Sequence, residues 1–368
     1  MMRGWEGRSR SAGNVRKRET DVMGGHASGH AAAGARVCED SGPEQPPLAA
    51  RRAPDWRVPD APVITVTPNP ALDRTLRVDA LVLGGIARVQ GVQEDPGGKG
   101  INVSRVLRSF GCPTTALGLL GGMTGQHLAE SLRELAIGVD FIAIPGETRT
   151  NLTLTDGGRE LKVNESGPNV SPGAIDALTA RVRHHAHKSP AVVLAGSLPP
   201  GVPAEIYAEL IRVIWEAGAK PVLDTAGAAL LKGAAARPYL IKPNRREAEE
   251  LLGSSLDTDD ALREATRRLI GYGIPVVVIS LGAQGAVCAC GEEIWRAESP
   301  PVAVASTVGA GDTLLACLLL ALLDGQAPSS ALRIGTAAGA ASTTLSGSRL
   351  CTPADLRRML PHVHVRPL

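Results

Sequence analysis

From Val63 onward the chain alternates two kinds of apolar pattern. Runs such as "VITVTPN", "TTALGLLG", "AVVLAGSLPPG", "KPVLDTAG", "YLIKPN" and "PVVVISLG" are short and continuously apolar, and they close in Gly, Pro or Asn. Buried strands have this form. Between them lie stretches whose apolar residues fall three or four apart, as Val103, Val106, Leu107 and Phe110 do in "VSRVLRSF". "GQHLAESLRELAI", "AEIYAELIRVIWEAG", "REAEELLG" and "DDALREATRRLIGYG" repeat the helical spacing, the second closed by Gly218. "AVCACGEEIWRAES" reads as a hairpin, and long helices follow Asp312 and Pro328. Strands alternating with helices, and apolar on both faces, predict a mainly parallel sheet with helices on either side, an α/β fold.

Two stretches break the alternation. Asp73–Asp95 and Thr148–Ser166 show period-two patterning around Gly-rich turns. They are expected to form paired antiparallel strands outside the main sheet, a small lid over the strand ends where open α/β sheets bind ligands. Residues 1–62 show neither period and are rich in Gly, Ala, Arg, Pro and Ser. They are expected to be a disordered extension, or sequence upstream of the true start, with the folded domain spanning residues 63–368.

Composition narrows the function. Aromatic residues make up only 2% of the chain, so the core must come from Val, Leu, Ile and Ala. Residues 1–62 hold ten Lys/Arg against eight Asp/Glu, and residues 63–368 hold 29 of each. A neutral domain lacks the basic excess of a nucleic-acid binder. The longest apolar run, Thr313–Leu323, falls short of the roughly 18 residues of a membrane span, and the N-terminus has no apolar signal-peptide core. Six scattered cysteines without CxxC spacing read as reduced, buried thiols of a cytoplasmic protein. His127, His184, His185 and His187 lie in polar or helical runs and read as solvated.

Four motifs carry candidate chemistry. "DPGGKGINVSRVL" sets Gly97 and Gly98 before Lys99 and a helix. Such a turn admits a ligand close to the backbone, Lys99 adds positive charge, and the helix offers free N–H groups to an anion or to sugar hydroxyls. GxxxxGK[ST] is absent, so this is not a P-loop; a plain glycine turn is the alternative. In "STVGAGDTLLACLLLALLDG", Gly309, Ala310 and Gly311 turn into a strongly apolar helix, and their amides form an anion hole. Asp312 follows, expected to stay ionised in the helix dipole. Amides that hold a transferred phosphoryl group, beside a carboxylate that takes the acceptor's proton, are what phosphoryl transfer needs. A helix cap is the other use for Asp312. In "KPNRREAEELLG", Asn244 and Glu247 form either a capping box or a site that organises water around magnesium and phosphate. "SLGAQG" is a strand end with Gly282 and Gly285, either a turn or part of a nucleotide site.

"GGKGINVSR" and "TVGAGDT", with "GSLPPGV", "KPNRREAE" and "SLGAQGA" between them in order, resemble the signatures of the PfkB-type, ribokinase-like sugar kinases. The resemblance covers about residues 63–360 and implies a three-layer α/β/α fold with a small β lid. Within the family, "TVTPNPALDRT" and "TRTNLTL…KVNESGP" look like the branch that phosphorylates ketohexose phosphates. The implied activity is ATP-dependent conversion of fructose 1-phosphate to fructose 1,6-bisphosphate. The alternative is the same chemistry on fructose 6-phosphate or tagatose 6-phosphate. Where the 6-phosphofructokinase branch tends to carry Lys two residues before the lid arginine, this chain has Ile86 before Arg88.

The resemblance also implies roles. Asp312 is the base, and Gly309, Ala310 and Gly311 are the anion hole. Asp73, Gly97, Gly98 and Asn102 hold sugar hydroxyls, while Lys99 and Arg149, with Arg88 from the lid, bind the substrate phosphate. Lys242, Asn244 and Glu247 face ATP and Mg²⁺. Ser280, Leu281, Gly282, Gly285, Thr307, Gly311 and Gly339 line the nucleotide. Ser306, Val308, Ser342, Gly347 and Arg349 sit where members hold a monovalent cation such as K⁺. Lids of the family pair across a dimer, so a homodimer is expected.

Overall fold

The computed structural model describes residues 57–82 and 84–368. The chain divides into two units, residues 1–45 and 46–368, and every described residue lies in the second. The expected disordered extension therefore falls, for residues 1–56, outside the described residues. Of the remainder, Arg57 donates its N–H to Asp324 Oδ1 at 3.0 Å and Val58 packs on the core.

The chain begins with β1 (Val63–Thr67), β2 (Ala71–Val78) and β3 (Val89–Gly97), then α1 (Lys99–Ser109), β4 (Thr114–Leu120) and α2 (Gly122–Glu134). Short strands β5 (Gly138–Val139) and β6 (Ile142–Ala143) lead to β7 (Arg149–Thr155) and β8 (Glu160–Asn164). Then come α3 (Pro172–Ala186), β9 (Ala191–Ala195), α4 (Ile206–Glu216), β10 (Lys220–Asp224), α5 (Gly227–Ala235) and β11 (Leu240–Ile241). Helices α6 (Arg245–Leu252) and α7 (Asp259–Gly271) precede β12 (Val276–Ser280), β13 (Ala286–Cys290) and β14 (Glu293–Glu298). The chain closes with α8 (Ala310–Leu323), α9 (Pro328–Thr343), α10 (Pro353–Met359) and β15 (His364–Pro367).

The main sheet runs β15-β14-β13-β12-β11-β10-β9-β1-β4-β5, with β6 also on β4. From β12 to β5 every pairing is parallel, and the edge from β12 to β15 is antiparallel. Alternate residues of each strand feed two cores. On β9, Val192 and Leu194 pack on one face with α3 and α4, while Ala191, Val193 and Ala195 pack on the other with α1, α8 and α9. This is the three-layer α/β/α arrangement that the continuous apolar strands predict. Helix α8 is buried from Asp312 to Ala321, which explains why it is apolar all round.

The lid is a second sheet of order β3-β2-β7-β8. Its two hairpins are antiparallel as expected, but β2 and β7 join them in parallel. Both leave the main sheet from the ends of parallel strands, β1 and β6, and so run the same way. The five described cysteines are free, four of them buried. Among the described residues no helix is long and apolar enough to cross a membrane.

Candidate active site

The C-terminal ends of the parallel strands all open on one edge, and the entry to α8 stands beside them. Gly309 caps α8 in the left-handed region (φ 71), and a Cβ there would lie 2.6 Å from Leu350. Only glycine fits such a corner. The first-turn amides lack intrahelical acceptors; the Ala310 N–H makes only a marginal 3.5 Å contact with Thr307 O.

Asp312 is 7% exposed, and its Oδ2 accepts from Asn102 Nδ2 at 2.9 Å, joining α8 to α1 across 210 residues of sequence. The expectation that the helix dipole keeps it ionised leaves out its burial. Burial, helped by the carboxylate of Asp224, pushes Asp312 up to about 6, against the opposing pull of Asn102, Lys242 and Lys99. Desolvation is the largest cause, and it leaves a carboxyl that titrates close to neutrality.

Asp224, at the end of β10 and fully buried, pairs with Lys99 Nζ (2.8 Å) and Lys242 Nζ (2.9 Å). Burial alone would raise its carboxyl, but the two ammonium groups hold it below its ordinary value. Lys99 is half-buried, and Asp224 and Glu247 (3.8 Å) keep it firmly cationic against the cost of its partial burial. Its ammonium thus joins Lys242 and Glu247 rather than the lid arginine. Sequence reasoning missed Asp224. An Asp ending "KPVLD" looks like an ordinary strand end until the fold brings two lysines to it.

These groups line a cavity of about 630 Å³. Lys99, Lys242, Asn244, Glu247 and Asp312 supply its charged and polar wall. Ser280, Gly282, Gly285, Thr307, Gly339 and the Gly309–Gly311 turn close the rest. Leu281 does not join them. Its N–H donates to Gly285 O and its side chain turns into the core, because residues alternate in direction at a strand end. A smaller cavity of about 360 Å³ shares Lys99 and Glu247 and runs along Ser197 and Thr225. Asn244 and Glu247 form a complete capping box on α6: Glu247 N–H donates to Asn244 Oδ1 (2.9 Å), and Asn244 N–H to Glu247 Oε2 (2.8 Å).

The lid brings the remaining candidates over the opening. Asp73 on β2 accepts from Asn151 Nδ2 at 2.9 Å, and burial raises its carboxyl. Gly97 lies against it; a Cβ there would stand 2.2 Å from Asp73 Oδ2. Gly98 caps α1 next to it. Arg149 donates to the carbonyls of Glu165 (3.1 Å) and Asn69 (3.0 Å), while its Nε has no partner. Arg88 is exposed on the loop after β2, where its N–H donates to Asp79 Oδ1 (2.9 Å). Ser306 and Val308 lie on the loop entering α8, whose Ser306 N–H donates to Thr343 O at the end of α9. Ser342 is buried beside it, and Gly347 and Arg349 follow on the next loop, Gly347 close to Gln93. His185, read as solvated, instead sits 2.8 Å from Asp140 Oδ2.

Residues 67–355 match the model of the pfkB family carbohydrate kinases. The chain belongs to this family. It is 34% identical over 307 residues to the 1-phosphofructokinase of Borreliella burgdorferi, covering 83% of this chain and 99% of the relative. It is 38% identical over 306 residues to that of Xanthomonas campestris pv. campestris, covering 80% and 95%. Among solved structures, Escherichia coli phosphofructokinase-2 in complex with potassium matches with a TM-score of 0.78 and 31% identity, over 82% of this chain and 98% of that one. As a pfkB kinase, the chain carries the α/β sheet and lid of its family in the arrangement described above.

Proposed function

We propose that this kinase transfers the γ-phosphoryl group of ATP to the free primary hydroxyl of fructose 1-phosphate, giving fructose 1,6-bisphosphate and ADP. The observation that carries the chemistry is Asp312, buried beside the open amides of α8 and hydrogen-bonded to Asn102. The substrate follows from relatives named 1-phosphofructokinase that match almost end to end.

ATP occupies the larger cavity with its phosphates toward Lys99 and Lys242. The sugar lies under the lid, its hydroxyls on Asp73, Asn102 and the Gly97–Gly98 turn and its phosphate on Arg149. Asp312 takes the hydroxyl proton as the oxygen attacks the γ-phosphorus and the bond to the bridging oxygen of ADP breaks. The Gly309–Gly311 amides hold the charge that builds on the transferred oxygens, and the lysines hold that on the leaving diphosphate. Arg149 suits a sugar phosphate because its planar fork donates to two oxygens at once.

Among the described residues no group of three His, Cys, Asp or Glu could hold a metal ion. Glu247 and Asn244, both engaged in their cap, would reach an Mg²⁺ brought by the nucleotide through its waters. Bound there, Mg²⁺ neutralises phosphate charge. For a monovalent cation, K⁺, the ligands would be Ser306, Val308, Ser342, Gly347 and Arg349, on the loops around the Ser306 N–H to Thr343 O bond.

The outer lid face presents Val92, Leu161 and Val163, all about half exposed. A second copy of the chain covers this face in a homodimer. The test of the substrate is kcat/KM on fructose 1-phosphate, fructose 6-phosphate and tagatose 6-phosphate in parallel. A preference of about tenfold or more for fructose 1-phosphate is expected, about 1.4 kcal/mol. A preference for a 6-phosphate keeps Asp312 but overturns the reading of Ile86 and the lid.

A further inference from the structure

Arg105 closes the "GGKGINVSR" stretch, and the phosphoryl-transfer chemistry makes no use of it. It stands three residues after Asn102, so both share one face of α1. Its side chain is 12% exposed, and both terminal nitrogens of the guanidinium are hydrogen-bonded. Nη2 donates to Asp95 Oδ1 at 3.1 Å, and Nη1 donates to Pro96 O at 3.1 Å. Nη1 also makes a longer 3.4 Å contact with Asn102 Oδ1. Asp95 is anchored in turn, since its Oδ2 accepts from Gln93 Nε2 (2.7 Å) and from Ser348 Oγ. Asp95 lies near the end of the lid strand β3, directly opposite Asp73.

An amide has two unlike ends. Asn102 can serve Asp312 only with its NH₂, because its carbonyl would set oxygen against carboxylate oxygen. Arg105 is a pure donor, so it attracts the carbonyl end and leaves the NH₂ on Asp312. We propose that Arg105 and Asp95 are positioning residues for the base: Arg105, anchored on Asp95 at the root of the lid, fixes the Asn102 amide with its NH₂ toward Asp312. Lid and base then share one hydrogen-bonded chain, Asp95–Arg105–Asn102–Asp312. The inference rests on Asp312 being the base.

The test compares Arg105→Met, Arg105→Lys, the isosteric Asp95→Asn and, as reference, Asp312→Asn. For each, kcat, both KM values and the pH dependence of kcat/KM are measured. Asp224 from β10, Lys242 after β11, and Lys99 and Asn102 from α1 face Asp312, and none of them is changed in the positioning variants. Arg105→Met is expected to lower kcat about tenfold, the scale of one misdirected hydrogen bond, with KM for ATP within about twofold. The acid limb should move to higher pH, because a loosened Asn102 no longer favours the carboxylate form. Arg105→Lys should recover part of both effects, and Asp95→Asn should show a smaller shift in the same direction. Wild-type kcat with an unmoved limb in Arg105→Met overturns the proposal. So does a kcat loss with an unmoved limb and no recovery by Lys, which marks a packing role. Asp312→Asn with wild-type turnover removes the base and this inference together; an inactive Asp312→Asn beside an unaffected Arg105→Met removes the inference alone.

Discussion

Asp312 and Arg149 face the same substrate in this account, but they stand on different ground. Asp312 opens a helix that is buried for its next nine residues and wedged between the sheet, α1 and α9. Arg149 stands on a four-stranded sheet whose β8 is exposed throughout. Residues 74, 76, 92, 94, 152, 154, 161 and 163 share one lid face by register; all are apolar except the Arg74–Glu94 ion pair (3.1 Å). The opposite face carries Asp73, Asp95 and Asn151. The half of the site proposed to do the chemistry is therefore held by the chain's own core, where burial raises Asp312. The half proposed to recognise substrate is a thin sheet whose outer face leaves Val92, Leu161 and Val163 about half exposed. Dense packing fixes geometry; a half-exposed sheet leaves room to close on a ligand.

The difference predicts where each substitution is felt. Asp312→Asn should lower turnover by roughly 10² or more while leaving both KM values near wild type, since it removes only a transition-state role. Retained turnover, read by steady-state assay, would reject Asp312 as the base. Arg149→Ala should act on the lid side and weaken sugar-phosphate binding by about 2–3 kcal/mol, the scale of a charge-assisted contact. An unchanged KM would show that the phosphate lies elsewhere. Val163→Asp, on the outer face opposite Leu152, should shift the solution mass from dimer to monomer and raise KM for the sugar phosphate severalfold, with a smaller change in kcat. A wild-type chain that sediments as a monomer at working concentration would refute the dimer.

The elements legible in the sequence were those whose burial is complete. Strands β1, β4, β9, β10 and β12 and helices α1, α4, α7 and α8 announce themselves because a whole face, or the whole surface, is apolar. Helix α3 was not read, because its inward residues are only Leu178, Thr179, Val182 and Ala186 in a run crowded with Arg and His. Helix α5 is mostly Ala and Gly, and β15 is a short, mostly exposed edge, so neither carries a period strong enough to see. The parallel pairing of β2 with β7 depends on where two distant segments leave the main sheet, which no local pattern records.

The site divides in the same way. Glycine turns at 97–98 and 309–311 and Asp312 stand out because backbone geometry and helix ends leave marks in sequence. Asp224, Asn151 and the Asp95–Arg105 pair do not, since each acquires its role from a partner many residues away or on another strand. Leu281 was drawn into the nucleotide wall by its neighbours, and only the strand's alternation sends it inward.

The most direct measurement is the pH dependence of kcat/KM for wild type and Asp312→Asn. Burial and Asp224 push the Asp312 carboxyl up to about 6, and a base works only when ionised. Wild-type kcat/KM should therefore be flat above neutrality and fall about tenfold per pH unit below that point, as a single protonation requires. The limb should be missing from the residual activity of Asp312→Asn. A wild-type profile flat through pH 5, or the same limb surviving in Asp312→Asn, would contradict the assignment of Asp312 as the base.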